Sequence, residues 1–238
     1  MQPGKCRDIG VDNHNFWGML TVFLLVASSL WGPWGSAAAP TNAAVTPVYD
    51  AAIEGPISEG SLSGPLRVIT RAARDRKPVV NIKFNSPGGD AFAMLDFLVE
   101  VSEAKSRGLK INCWADGALM SAAFFIYQDI CDVRNITGRT VVLAHGVSTQ
   151  LSGNQVDIET DLALIKVLNN IVANMTCARM GMTREAWDVK TLGRDWWFDG
   201  LEAKALKAAD NVVTPNQMPT KFGMEDEGVL VILPFMVR

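Results

Sequence analysis

Histidine is almost missing from the 238-residue sequence, which holds two, His14 and His145. A basic surplus is missing too: 22 Lys and Arg stand against 25 Asp and Glu, a formal net charge of −3. Without a cationic excess the chain lacks the electrostatic footprint of a nucleic-acid binder, and that class is set aside. Cysteine is sparse, with four residues and no CxxC or other metal-like spacing, so neither a metal site nor a cofactor is implied. No internal repeat appears. What the chain has is apolar residue, 48% of the total, ample for the core of one domain with appendages.

The longest apolar run lies near the N-terminus. Residues 1–15 are polar and include Lys5 and Arg7; residues 16–40 read FWGMLTVFLLVASSLWGPWGSAAAP. The run from Phe16 to Leu30 has the length of a signal-peptide core and is short for a span of about 20 residues. The WGPW break and the SAAAP stretch suit cleavage after Ala38 or Ala39, while Asp8, Asp12 and Pro40 fit that pattern poorly. Residues 1–40 are therefore expected to be a signal peptide or an uncleaved anchor, with any membrane association running through residues 16–39. The rest would be exported, to a bacterial periplasm or a membrane-associated location. Residues 41–52 read as a linker, opening an Ala-, Pro-, Gly- and Ser-rich stretch that continues to 64. Residues 53–214 form the expected domain. Residues 215–238 are a tail whose apolar GVLVILPFMVR suits an edge strand or a partner surface.

Within the domain, strands and helices alternate. PVVNIKF (78–84) is a β-branched strand ended by NSPGGD (85–90). AFAMLDFLVEVSEAKSRG (91–108) has helical periodicity with Gly108 as its C-cap. LKINCWA (109–115) is a strand, SAAFFIYQDI (121–130) a buried helix after a glycine-containing loop, and CDVRNI (131–136) and TVVLAHG (140–146) are strands. A long helix over 156–180 places Leu162, Ile165, Leu168 and Val172 on one face. A short helix over 183–190 has Thr183 as N-cap, and an extended RDWWFDG (194–200) leads to a last helix and turn. This alternation predicts an α/β fold with mostly parallel strands and right-handed crossovers.

Cys6 lies ahead of the apolar run, which leaves Cys113, Cys131 and Cys177. Export would permit a Cys113–Cys131 disulfide if their strands are neighbours; otherwise the three are small buried hydrophobes.

Three features converge on chemistry. Ser-Pro-Gly-Gly directly after a strand supplies backbone N–H groups that can approach a ligand closely, as an oxyanion hole requires. Ser121 stands at a helix start, where developing negative charge is favoured. His145 ends an apolar strand and is the one imidazole outside the N-terminal segment, hence the standard candidate for a base acting on a serine. A carboxylate to orient it is available at Asp195, Asp188, Asp199 or Asp157. Each feature alone also has an ordinary structural explanation: a turn, a helix filler and a buried strand-end histidine.

Taken in order, NSPGGD, GALMSAAFF, VVLAHG, the long helix and GRDWWFDGLEAKALKAADNVV resemble the Clp protease proteolytic subunit over about residues 50–213. The resemblance implies the ClpP/crotonase-like spiral of ββα units with a handle-type helix. It also implies a serine peptidase whose nucleophile is Ser121, whose base is His145 and whose orienting carboxylate is Asp195, with Asp199 as the alternative. Gly89 and Ala122 fall at the oxyanion-hole amides, with Gly88 shaping the turn. Substrates would be peptides or unfolded proteins, and a homo-oligomer is implied through the long helix.

Departures are specific. Met120 precedes the serine where that family has a small residue, and Gly146 follows His145 in place of Gln-Pro. The apolar N-terminal segment is foreign to the cytosolic subunit and resembles exported relatives such as signal peptide peptidase A. That peptidase uses a Ser-Lys dyad, for which Lys83 and Lys166 are the lysines to weigh. Export would also remove the chain from an ATPase partner. A degenerate, peptide-binding scaffold and a crotonase-type acyl-CoA enzyme are the other classes. Trp196 and Trp197 read as core packing. Asn135 and Asn174 match a glycosylation pattern that matters only in a eukaryotic secretory pathway. Asp157, Glu159 and Asp161 suit the macrodipole of the long helix.

Overall fold

The computed structural model describes residues 48–219. The N-terminal segment and most of the linker and tail lie outside these residues. The elements run β1 Ala51–Glu54, α1 Glu59–Arg74, β2 Val79–Ser86, α2 Ala91–Ser106, β3 Lys110–Met120, α3 Ala122–Ile130, β4 Val133–Thr137, β5 Val141–Ala144, α4 Gln155–Met180, α5 Arg184–Thr191, β6 Trp196–Asp199, α6 Gly200–Ala205 and β7 Asn211–Val213. One sheet has the order β1-β2-β3-β4-β7, all parallel. Strand β5 adds parallel to β3, and β6 closes that branch antiparallel to β5. This is the mostly parallel α/β architecture that the alternating pattern predicts.

Strand β3 changes neighbours halfway along, and that change positions the site. Residues 112–115 pair with β4, whereas Ala118, Leu119 and Met120 pair with Val141, Val142 and Leu143 of β5. Between the two halves the β2–β3 register jumps, from Phe84 opposite Ala115 to Ser86 opposite Leu119. The bulge is built by Gly117 at φ +101°, where a Cβ would stand 2.6 Å from Asn85 Oδ1. The Ala118 N–H donates to that same oxygen at 2.9 Å, so the Asn85 side chain replaces a ladder partner. Asp116 anchors the bend from the other side, accepting from Thr137 at 2.7 Å and from Arg139 at 2.8 and 2.6 Å.

Helix α3 is buried along its length except at Asp129; Phe124, Ile126 and Tyr127 have no exposed surface. Its buried polar side chains are hydrogen-bonded. The Tyr127 hydroxyl donates to the Asn135 carbonyl at 3.1 Å, and Gln128 donates to the Ala208 carbonyl at 2.8 Å while accepting from Arg134 at 2.6 Å. Arg134 in turn makes a two-point contact with Asp210 at 2.7 and 3.1 Å. A disulfide joins Cys113 of β3 to Cys131 at the C-cap of α3, with Cα atoms 5.6 Å apart. It closes the strand–Ser121–helix unit into a loop.

Four expectations change. The Ala-, Pro-, Gly- and Ser-rich stretch to residue 64, which opens as a linker, holds β1 and the first six residues of α1. Helix α1 forms despite Gly60, Gly64 and an internal Pro65 because Ser58 and Ser61 cap it reciprocally and Leu62, Ile69, Ala72 and Ala73 are buried. The loop expected before Ser121 is strand, since β3 continues past its bulge to Met120. Cys131 ends a helix and does not begin a strand. In α4, Leu168 and Val172 are buried but Leu162 is exposed, because only the C-terminal half of that helix packs on the core.

Candidate active site

Ser121 is the single residue between β3 and α3, at φ 53° and ψ −125°. A non-glycine residue there costs on the order of 1–3 kcal/mol and persists where its surroundings over-determine it. The surroundings do so here: the Ser121 N–H donates to the Leu143 carbonyl of β5 at 2.9 Å, and its carbonyl accepts from Phe125 N–H at 3.1 Å. The hydroxyl makes no capping bond to α3. A serine on a sharp strand-to-helix turn presents its Oγ outward, and Ser121 lines a cavity of about 350 Å³.

Two glycines make room for it. A Cβ on Gly88 (φ +89°) would stand 2.7 Å from the Ser121 Cβ and 3.0 Å from the Ala122 nitrogen. Gly89 is bridged to Ile57 and approaches it too closely for any side chain: a Cβ there would stand 2.3 Å from the Ile57 oxygen. In that bridge Ile57 N–H donates to the Gly88 carbonyl and Asp90 N–H to the Ile57 carbonyl, so the flanked Gly89 turns its own N–H away from Ile57. Neither the Gly89 nor the Ala122 amide has an intramolecular acceptor among the described residues, and both residues line the Ser121 cavity. Ala122 is also at the first position of α3, where orphan amides and the helix dipole favour negative charge.

His145 follows β5 directly. Because Leu143 pairs with Met120, the strand carries His145 past the end of β3 and onto the wall of the same cavity. The backbone after it is pinned by Asn169 of α4, whose Oδ1 accepts from Val147 N–H at 2.7 Å.

Asp195 lies across the β5–β6 pairing from His145. Antiparallel β5–β6 pairing runs Val141–Asp199, Val142–Phe198, Leu143–Trp197 and Ala144–Trp196; one step further brings His145 opposite Asp195. Both residues line one cleft with Thr191 and Asn169. Asp199 is at the far end of that ladder, and its carboxylate caps α6 through Leu201 and Glu202 N–H, both at 2.8 Å. Asp188 is paired with Arg184 at 2.8 Å, and Asp157 closes the α4 capping box with Asn154. Ser121 and His145 thus share one cavity, and His145 and Asp195 a second cleft, with no hydrogen bond linking the three among the described residues.

Neither lysine weighed as a base lines the cavity. Lys83 is paired with Glu54 at 2.6 Å, and Lys166 is exposed on α4. The tryptophans separate: Trp196 packs on Trp187 and Phe198, while Trp197 is half exposed on the surface. Asn135 is buried and donates to the Cys113 carbonyl, and Thr176, beside Asn174, is buried in α4. Sequence reasoning missed Asn85 and Asn169. An asparagine directly after a strand and one inside a helix carried no signal without knowledge of which backbone each faces.

The family model for Clp protease matches residues 65–216, more than half of the chain. The chain belongs to the Clp protease family. The matched span of this Clp-family protein contains the glycine turn, Ser121, His145 and Asp195. Its mixed, mostly parallel sheet with a 26-residue α4 is the fold expected of that family. Family members act on peptides and typically oligomerise. No curated protein matches the chain.

Proposed function

We propose that this Clp-family protein is a serine peptidase working through Ser121, His145 and Asp195. The observation that carries the reading is the strained Ser121 between β3 and α3, sharing a single cavity with two unbonded amides and one histidine. His145 takes the Ser121 proton as Oγ attacks the scissile carbonyl. The oxyanion rests on the Gly89 and Ala122 amides, the leaving amine receives the proton, and water cleaves the acyl-enzyme by the same steps. Asp195 fixes the imidazole tautomer. Catalytic hydrogen bonds are often long without substrate and tighten when it binds, which accommodates the unlinked triad.

The activity is exported and independent of an ATPase. Supporting this are the apolar run Phe16–Leu30 and the Cys113–Cys131 disulfide, a bond that persists in oxidising compartments. Among the described residues no helix is long and apolar enough to cross a membrane. Incubating the protein with unfolded polypeptide, without nucleotide, and sequencing the fragments by mass spectrometry tests the proposal. Fragments that vanish with Ser121→Ala are expected.

A second reading, a scaffold that binds peptides without turnover, is favoured by the missing Ser121–His145 hydrogen bond. Peptide binding with no fragments from wild type would select it.

A further inference from the structure

We propose that Asp161 selects peptides carrying a basic side chain, lysine or arginine, beside the scissile bond; this rests on reading the Ser121 cavity as the peptide-cleaving site. Helix α4 forms one wall of that cavity through Asp161, Leu164, Ile165, Leu168 and Val172. Their spacing of three, one, three and four residues places them on a single helix face. The wall is graded. Leu168 and Val172 are buried, Ile165 is half-buried and Leu164 exposed, and the half-buried Asp161 stands about 10 Å further along the axis than Leu168. Across the cavity, Met94 and Phe125 are buried and extend the apolar end. A long apolar floor with a carboxylate at its rim matches a side chain with an aliphatic stem and a cationic head.

The charges agree with the shape. The described lining residues include two carboxylates, Asp90 and Asp161, together with His145, and no lysine or arginine. Asp90 is committed as the N-cap of α2, accepting from Phe92 and Ala93 N–H at 2.7 and 2.9 Å. One turn before Asp161, Asp157 is committed to the α4 capping box. The Asp161 side chain has no ion pair or hydrogen bond among the described residues. It is the seventh residue of α4, beyond the first turn over which the macrodipole acts, so the helix does not account for an acid there. Its carboxylate is available to a substrate cation.

The test uses full-length Ser121→Ala, which binds without turnover, and labelled peptides with lysine, norleucine or glutamate placed in turn at each of the four central positions. Norleucine keeps the stem and drops the charge. Fluorescence anisotropy is expected to show, at one position, lysine binding about tenfold tighter than norleucine, the size of a charge-assisted contact. Glutamate should bind weakest. Asp161→Asn in the same background should erase the lysine advantage and leave norleucine unchanged, and added salt should shrink it in the Asp161 protein alone. Lysine no tighter than norleucine at every position, an advantage that survives Asp161→Asn, or no binding of any peptide overturns the proposal. The peptidase reading fails separately: fluorophosphonate labelling of Ser121 in wild type does not depend on Asp161.

Discussion

Gly88 and Ser121 touch at the point where glycine has no side chain. A Cβ on Gly88 would stand 2.7 Å from the Ser121 Cβ and 2.6 Å from the Met120 carbonyl oxygen. Gly88→Ala must therefore push the Ser121 turn out of place and also hold alanine at positive φ. Loss of Ser121 reactivity by more than 100-fold and of about 2 kcal/mol of stability is expected. Gly108 is the control: it has φ +93° with open space around it, so Gly108→Ala costs about 1–2 kcal/mol and spares reactivity. Equal labelling rates for the two variants would show that the Gly88 contact does not hold Ser121 in place.

Ser121 itself trades stability for position. Its side chain makes no capping bond, and its φ of 53° suits glycine. Ser121→Gly should raise the unfolding free energy by about 1 kcal/mol while abolishing labelling. A lower urea midpoint than wild type would argue that the turn carries no strain.

The Cys113–Cys131 bond spans 18 positions around Ser121. Cross-linking a loop of that size contributes about 3 kcal/mol in the chain-entropy account. Cys113→Ala/Cys131→Ala should melt roughly 6–12 °C lower. Because both sulfurs are buried, reductant should act on wild type only as it unfolds. Superimposable melts of oxidised wild type and the double variant would count against the clamp.

Arg134 is buried and its charge is met by Asp210. Burial would raise the Asp210 carboxyl, but hydrogen bonds from Arg134 and its charge outweigh burial and hold it below the ordinary range. A carboxyl depressed in the folded state contributes stability above its unfolded value, near 3.8, and loses it as pH falls through the lower folded value. Asp116, held down chiefly by Arg139, behaves the same way. Asp129, raised by burial, opposes them, since acid relieves its cost. Asp210→Asn should flatten the pH dependence of stability below pH 4. Asp210→Ala should cost about 3 kcal/mol, the low end for a buried charge left unpaired because Asp210 is partly exposed. Urea midpoints at pH 3 and pH 6 decide; an unchanged slope in Asp210→Asn would refute the assignment.

What was legible in the sequence was whatever rests on local periodicity and order. The strand before the glycines, the buried α3 and the histidine ending β5 follow from patterns within a few residues. Helix α1 was hidden because serine, glycine and proline lower its propensity while capping and five buried side chains secure it. The β3 bulge was hidden because it depends on the Asn85 side chain, which replaces a ladder partner. Choosing between Asp195 and Asp199 needed the β5–β6 register, since spacing along the chain gives no cross-strand address. Asp161 read as a macrodipole acid until α4 was seen to wall the cavity.

The most direct test of the account is the intact mass of the protein after a fluorophosphonate at neutral pH. One adduct, mapped to Ser121 and lost in Ser121→Ala and His145→Ala, is the predicted result. Wild-type protein that is folded by circular dichroism yet takes no adduct, or takes one that survives Ser121→Ala, would contradict the assignment of Ser121 as an activated nucleophile.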